Sequence, residues 1–476
     1  DEFGWGGESW AYPVDLDPLY GCNKDLWQGS VGYGYDTPTG NHHVSVVYDD
    51  WTRQGSYLFT SEAVEDGYIV LGTETLIVNP QHIVEDYTSS AILSMNDNGQ
   101  GLLGVVGYFE GYDPTDGSCI SPANNIICDY KTPMFKLTND YGENWAGNHA
   151  AFDFYYVPEE VFEDIMSTWP EADVDACTSE SYPLERIWSW YNFDMRVDQS
   201  GNPHIVVSLV PESEEYLHYI SDVSGFYHFT IEKENIASPG EINTPTGWNW
   251  SYVPIPANNS FNWSAQDGDG YWWQMMGQLS ISRDNDNIIY VVSNVATLGD
   301  MNPAMDTNGD NIEDDPCGIQ DYPWELYPEY SEDVWVAKSA DNGKTWSALY
   351  NITNTPKDGD ESLAGIGHEV GCSPEEMLVH TAHWSSDDRV YFQYQSPNWA
   401  WNEIGDMNGA DYMNRVFLGY SYVEDLGIGG CTDNANCNYN PDAVWDNGDC
   451  ATGGNLDPNG NDCLGVCGGL AIEDCA

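Results

Sequence analysis

The run Asp306-Thr307-Asn308-Gly309-Asp310-Asn311-Ile312-Glu313-Asp314 places oxygen-bearing side chains at alternate positions. Asp306, Asn308, Asp310, the backbone carbonyl of Ile312 and Asp314 can together wrap one hard cation at about 2.3–2.6 Å, which makes Ca2+ the expected cofactor. A second set of residues is aromatic. Trp248, Trp250, Trp263, Trp272, Trp273, Trp399 and Trp401 lie in inter-strand segments among Asn and Asp. Indole rings stack on sugar rings while neighbouring carboxamides bind hydroxyls, so these residues form a candidate ligand surface. Their alternative use is packing within the insertions that carry them.

Other chemistries find less support. The chain has 78 acidic residues, and no pair stands out as the acid and base of a glycosidase. His42-His43, His368-Glu369 and His380-Thr381-Ala382-His383 are the histidine clusters. On a strand, His380 and His383 point to opposite faces, so structural roles are expected. GxSxG and P-loop signatures are absent from the sequence. Thirteen basic against 78 acidic residues leave a net charge of −65, which disfavours nucleic acid and anionic membranes as partners. The acidic residues are spread along the whole chain, as on a surface suited to salty water. No run of about 18 apolar residues offers direct membrane insertion.

Twelve cysteines, an even number, suit disulfides in an oxidising, extracellular setting, and Asp1 is read as the start of a mature secreted chain. Cys22, Cys119, Cys128, Cys177, Cys317 and Cys372 lie in the body of the chain, and the other six fall between Cys431 and Cys475. Asn249, Asn258, Asn262 and Asn351 fit the glycosylation sequon.

The elements that must position these groups are short strands. Aromatics are 14% of residues, and 47 Gly with 25 Pro supply turns. Ser339-Ala340-Asp341-Asn342-Gly343-Lys344-Thr345-Trp346 reads as a self-bonded turn between strands at Val334–Lys338 and Tyr350–Thr353. Ser339 and Asp341 can accept bonds from the turn's N–H groups, Gly343 can take a positive φ, and Trp346 can fold back as an apolar plug. The same S/T-x-D-x-G-x-x-W order stands at Thr138, Asp140, Gly142 and Trp145.

Hairpins repeat through the chain: Val44–Tyr48 with Tyr57–Phe59, Ile92–Met95 with Leu102–Phe109, Phe193–Val197 with Ile205–Val210, Leu279–Ile281 with Ile288–Val292, and Met377–Ala382 with Val390–Tyr394. Each is followed by further strand material, the pattern of a blade repeat. Runs such as Ile205-Val206-Val207 are continuously apolar, which predicts strands buried on both faces.

The paired turns resemble the Asp-box of sialidase-like (BNR-repeat) β-propellers. That resemblance implies an all-β fold, a β-propeller of five or six blades, in which the boxes are structural and lie away from any active site. An active sialidase would also carry an arginine triad and an Arg-Ile-Pro motif. Here the arginines are Arg53, Arg186, Arg196, Arg283, Arg389 and Arg415, and Arg186-Ile187 is followed by Trp188. The run at 306–314 looks like the calcium loops of thrombospondin type 3 and dockerin domains, although its glycine is one position early for an EF-hand. From Gly430 onward, runs such as Asp446-Asn447-Gly448-Asp449-Cys450 resemble the Cys-rich stalk repeats of very large marine bacterial surface proteins. That resemblance implies a piece of a longer surface protein.

The expected organisation is an N-terminal wrap or closing strand over 1–40 and a propeller over 41–429 with insertions at 158–169, 233–275 and 299–330. A truncated stalk repeat over 430–476 follows. The expected function is a secreted, calcium-stabilised, non-catalytic module that recognises a glycan or a surface protein. Two alternatives are a structural subunit that self-assembles into an extracellular filament, and a glycoside hydrolase or lyase with a carboxylate pair in the propeller pocket.

Overall fold

The computed structural model describes residues 26–36, 38–50, 55–65, 68–78, 91–107, 131–147, 153–174, 179–213, 217–218, 220, 223–236, 245–254, 277–298, 330–353, 377–396 and 415–423, with short strand segments at 112–113, 118–119, 428–429 and 443–445. The fold is all-β. Five sheets of three to five strands form the blades of a β-propeller arrangement among the described residues. Two compact units divide the chain, Asp1–Trp250 with the first three blades and Ser251–Ala476 with the last two.

Blade 1 joins Leu26–Asp36, Asn41–Asp50 and Gly55–Glu65, and both Tyr68–Leu71 and Thr75–Val78 pair with its third strand. Blade 2 is Ile92–Met95, Gly101–Gly107, Thr132–Thr138 and Tyr155–Tyr156. Blade 3 is Arg186–Val197, Pro203–Glu212, Gly225–Ile231 and Trp248–Tyr252, and the boundary between the two units falls inside its last strand. Blade 4 is Gln278–Ser282, Ile289–Leu298, Tyr330–Ser339 and Tyr350–Asn351, with Trp384–Ser385 added in parallel on its first strand. Blade 5 is Met377–Thr381, Arg389–Ser396 and Arg415–Tyr422.

The continuously apolar runs behave as their composition predicts. Gly101–Gly107 is buried along its whole length, and so is Pro203–Glu212 up to its last residue. A strand sandwiched by neighbouring blades has no wet face, so it has no polar alternation to show. In the second unit, Ile288, Tyr290, Val292, Val334, Val336, Val379, Val390, Phe392 and Val423 form one core shared by blades 4 and 5.

Two differences from the sequence reading have physical causes. The first hairpin, Val44–Tyr48 with Tyr57–Phe59, supplies the second and third strands of blade 1, because Leu26–Asp36 precedes it as an edge strand. Glycines disguised that strand. They are needed for close approach: a Cβ on Gly32 would sit 1.8 Å from Leu93 Cδ2 of blade 2. Second, Trp248-Asn249-Trp250-Ser251-Tyr252 is a blade strand rather than insertion loop, and its aromatic/polar alternation is the period of a strand. The insertion at 158–169 reads in the sequence as one short amphipathic helix with proline at its first turn, and the structure has a helix at Glu159–Met166, entered from Pro158 and burying Val161, Phe162 and Ile165. The insertion at 299–330, except its last residue, and most of the residues after 423 lie outside the described residues.

The turns joining first to second and third to fourth strands share one end of a blade, and these turns are stapled. At Thr138–Trp145, Asp140 accepts from Asn144 N at 2.9 Å and Asn144 Nδ2 at 2.7 Å, Thr138 Oγ1 accepts from Gly142 N at 3.1 Å, and Trp145 Nε1 donates to Gly142 O at 3.0 Å. At Ser339–Trp346 the same scaffold recurs: Asp341 accepts from Thr345 N at 2.9 Å and Thr345 Oγ1 at 2.7 Å, and Ser339 Oγ accepts from Gly343 N at 2.8 Å. Gly142 and Gly343 sit at φ +85 and +76, where a Cβ would be strained. Trp346 is buried, and its Nε1 donates to Ser251 Oγ at 2.8 Å.

The first-to-second turns are held in a related way. Asn96 Oδ1 caps the N–H groups of Asn98 and Gln100, and its Nδ2 donates to Asp198 O of blade 3 at 2.8 Å. Asp198 accepts from Asn202 N and Nδ2, both at 2.7 Å, and lies 3.5 Å from His204 Nε2. Burial pushes the Asp198 carboxyl up, but the contacts with His204 and Asn202 outweigh it and hold the group below its usual range.

Candidate recognition site

The opposite end of a blade carries the second-to-third connections and the links between blades. Longer, less regular connections at one end of a rigid scaffold are where binding residues can be varied without disturbing the sheets. Among the described residues, this end of blade 3 gathers chemistry that the stapled end lacks.

Arg186 opens the first strand of blade 3 and pairs in register with Glu212, the last residue of the second. Arg186 Nε lies 3.6 Å from Glu212 Oε2, an ion pair too long to be a hydrogen bond. Trp188 stands two residues on, so its side chain leaves the same face as Arg186. Lys131, just before the third strand of blade 2, is buried and holds its ammonium 4.0 Å from the centroid of the Trp188 ring. Ser189 Oγ donates to Lys131 O at 3.0 Å, which joins the two blades at this corner. Burial pushes the Glu212 carboxyl up, and the nearby Arg186 and Lys131 only partly offset it, so the group stays above its usual range. Arg186 Nε and Trp188 Nε1 are buried donors with no hydrogen-bond partner among the described residues.

Beside this corner runs a hydrogen-bonded chain. His218 Nε2 is 2.8 Å from Ser213 Oγ, and His218 Nδ1 is 2.9 Å from Asp173 Oδ2. These distances match a nucleophile, base and orienting acid. Exposure runs the wrong way for that use, since Ser213 is 4% exposed while the Asp173 side chain is 38% exposed. The hydroxyl is closed off and the carboxylate faces water. The chain is a clasp. It ties the short hairpin of Ala172–Val174 and Ser181–Pro183 to the segment that follows Glu212, and Tyr182 packs at 5.6 Å from the His218 ring.

The residues singled out by sequence fall in several places. The Ser or Thr, Asp, Gly and Trp of each S/T-x-D-x-G-x-x-W turn come together at the stapled end. Trp248 and Trp250 are half-buried on the last strand of blade 3. The Trp248 ring meets Phe135 edge-on at 6.3 Å, and Trp250 packs at 6.1 Å from Tyr227 while its Nε1 donates to Asp164 Oδ2 at 2.7 Å. Much of their ring surface is already engaged by the protein. Trp263, Trp272, Trp273, Trp399 and Trp401, with Asp306, Asn308, Asp310, Ile312 and Asp314, lie outside the described residues. Among the described residues no group of three His, Cys, Asp or Glu side chains is placed to hold a metal ion. Arg196 Nε lies 3.1 Å from buried Asp194 Oδ2.

The sequence reading missed the corner itself. Arg186 was in view only as a triad candidate, and Lys131, Glu212, Ser213, His218 and Asp173 carry no local signature. They belong to four different segments, which the blade topology alone brings together.

No protein-family model matches the chain, and no curated protein matches it in sequence. Solved structures similar to it include a Hadza microbial sialidase, at 8% identity and a TM-score of 0.37, covering 83% of this chain and 56% of that one. Polysaccharide lyase Uly1 aligns at 9% identity and 0.37, covering 82% and 57%. An α-L-arabinofuranosidase from Lactobacillus brevis aligns at 7% and 0.34, covering 84% and 92%. The chain spans just over half the length of the first two. Likeness at this level concerns the fold and transfers no activity.

Proposed function

We propose that this chain is a secreted, surface-displayed propeller that recognises glycans without cleaving them, through the loop end of blade 3. The observation that carries the reading is the contrast between the two ends of the blade. One end is closed by self-satisfied turns, and the other carries half-buried Arg186, Trp188 and Glu212, a mixed polar and aromatic set of the kind that binds hydroxyls and sugar faces. The Asp-box reading of the Thr138 and Ser339 turns supports it, because such turns are structural and leave the opposite end for ligands. In this proposal the loop from Asp306 to Asp314 holds Ca2+ and stabilises the second unit.

A specific observation favours a second reading, glycoside cleavage. Glu212 has a carboxyl shifted above its usual range, the direction that suits a general acid.

Glycan-array binding with and without a chelator, followed by chromatography of the sugars released, separates these readings. The expected outcome is retention that a chelator weakens, together with a lower thermal midpoint in chelator and no released sugar. Released sugar that is lost in Glu212→Gln would replace recognition by catalysis. Retention and melting unchanged by the chelator would remove calcium from the proposal.

A further inference from the structure

We infer that the third strand of blade 5, Arg415–Tyr422, is a docking edge for a second copy of this chain, the two strands pairing antiparallel across a twofold axis at Gly419. Blades 2, 3 and 4 each have a fourth strand paired with the third. Blade 5 ends at its third strand among the described residues, so the outward N–H and C=O groups of that strand have no ladder partner there. Proteins guard such edges with charges or proline. From Val416 to Tyr422 this edge has neither.

The face beside the edge is apolar and open. Val416, Leu418, Tyr420 and Tyr422 alternate onto it and are 58%, 69%, 54% and 56% exposed. Tyr391 and Arg389 of the neighbouring strand stand in register with Tyr420 and Tyr422. Arg389 holds its guanidinium carbon 4.9 and 4.4 Å from those two ring centroids and donates to the Tyr422 hydroxyl at 2.8 Å. The rings are thus already fixed, and docking on them costs little further side-chain freedom. At about 150–250 Å² per aromatic side chain, the exposed parts of Tyr391, Phe417, Tyr420 and Tyr422 leave roughly 300–450 Å² open. That is about half of the ~800 Å² per partner in a stable interface, before Val416, Leu418 and the strand backbone are counted.

Three features select a second copy as the occupant. With Gly419 on the axis, Leu418 faces Tyr420 of the partner subunit and Val416 faces Tyr422 of the partner subunit, all on the same open face. Pairs of aliphatic and aromatic side chains are favoured across strands. Charge acts in the same direction, because copies with a net charge of −65 repel each other least where an uncharged stretch meets its own counterpart. The glycine itself is the third feature. Glycine in a strand often marks close approach of another backbone, and within this blade a Cβ on Gly419 would meet only Phe392 among the described residues, at an ordinary 3.8 Å.

The test is sedimentation velocity of the whole chain in roughly 0.5 M NaCl, where repulsion between copies is screened, together with hydrogen-exchange mass spectrometry of residues 416–422. The expected result is a monomer–dimer equilibrium with a dissociation constant of about 10 μM or tighter, with exchange over 416–422 slowing as the dimer forms. Leu418→Lys should weaken dimerisation at least about tenfold at unchanged far-UV circular dichroism, because it brings an unpaired ammonium into the contact. Val416→Lys should do the same. Both substitutions lower the net repulsion between copies, so weaker association reports a lost contact and not added charge. A chain that stays monomeric up to about 100 μM overturns the proposal, and so does a dimer that both variants leave unchanged. Slow exchange over 416–422 in the monomer would show that the chain covers its own edge, and growth beyond a dimer would show a head-to-tail contact; either result also overturns it.

Discussion

Asp140 and Asp341 do the same work at two places in the chain, and the physics of one carboxylate explains both. Burial pushes each carboxyl up. The N–H and hydroxyl groups of Asn144 and Thr138 in one turn, and of Thr345, Ser339 and Lys344 in the other, outweigh that and hold both groups below the usual carboxylate range. A depressed folded-state value means that the unfolded chain binds protons more readily. The stability these turns add is therefore fully present above the ordinary carboxylate value and is lost as pH falls through the lowered one. Asp341→Ala should cost about 1–2 kcal/mol at neutral pH, the scale of a lost helix cap, and the gap from the parent chain should close in acid. Urea midpoints measured between about pH 3 and 7 check this, and a gap independent of pH would mean that the turn is held by Trp346 packing instead. These residues were legible in the sequence because every partner lies within a few positions. Arg186, Glu212 and Lys131 were not, because their partners lie tens of residues away.

At the scale of the blade, close packing between sheets depends on residues with no side chain to remember them by. A Cβ on Gly104, in the second strand of blade 2, would meet Met195 Sδ at 2.2 Å and Met134 O at 3.0 Å. Gly104→Ala should cost about 1–3 kcal/mol by overpacking. Shortening the opposing side chain with Met195→Ala should recover part of that loss in the double variant, because the two positions share one gap. Additive costs in the double-mutant cycle would show that the Met134 carbonyl, not the sulfur, sets the limit. The strands around this gap were visible as apolar runs, paired in the sequence as the hairpins Ile92–Met95 with Leu102–Phe109 and Phe193–Val197 with Ile205–Val210. The edge strand Leu26–Asp36 and the closing strand Trp248–Tyr252 were harder to see. Glycine hides alternation in the first, and the second sits in a long connection where a lone strand has no hairpin partner nearby.

At the scale of the molecule, a net charge of −65 is an energy that salt controls. The screening length falls from about 30 Å at 0.01 M to about 3 Å at 1 M, so self-repulsion that opposes folding at low salt is largely removed at high salt. The urea midpoint should rise steadily across that range. A flat profile would show that the carboxylates are already neutralised, by bound cations or by protons.

The sequence by itself determined what depends on neighbours in the chain: the all-β class from short apolar runs and turn residues, the two self-bonded turns from the S/T-x-D-x-G-x-x-W spacing, the helix at Glu159–Met166 from its amphipathic period, and the acidic character from composition. Only the tertiary structure decided which end of blade 3 is closed by self-bonded turns. It alone set Arg186, Trp188, Glu212 and Lys131 at one corner and turned Ser213, His218 and Asp173 into a clasp by burying the wrong end for catalysis. The reason is range. A turn or a strand is stabilised by contacts within a few residues, so its signal is local, whereas burial, charge pairing and unpaired donors arise from the register of whole strands across sheets.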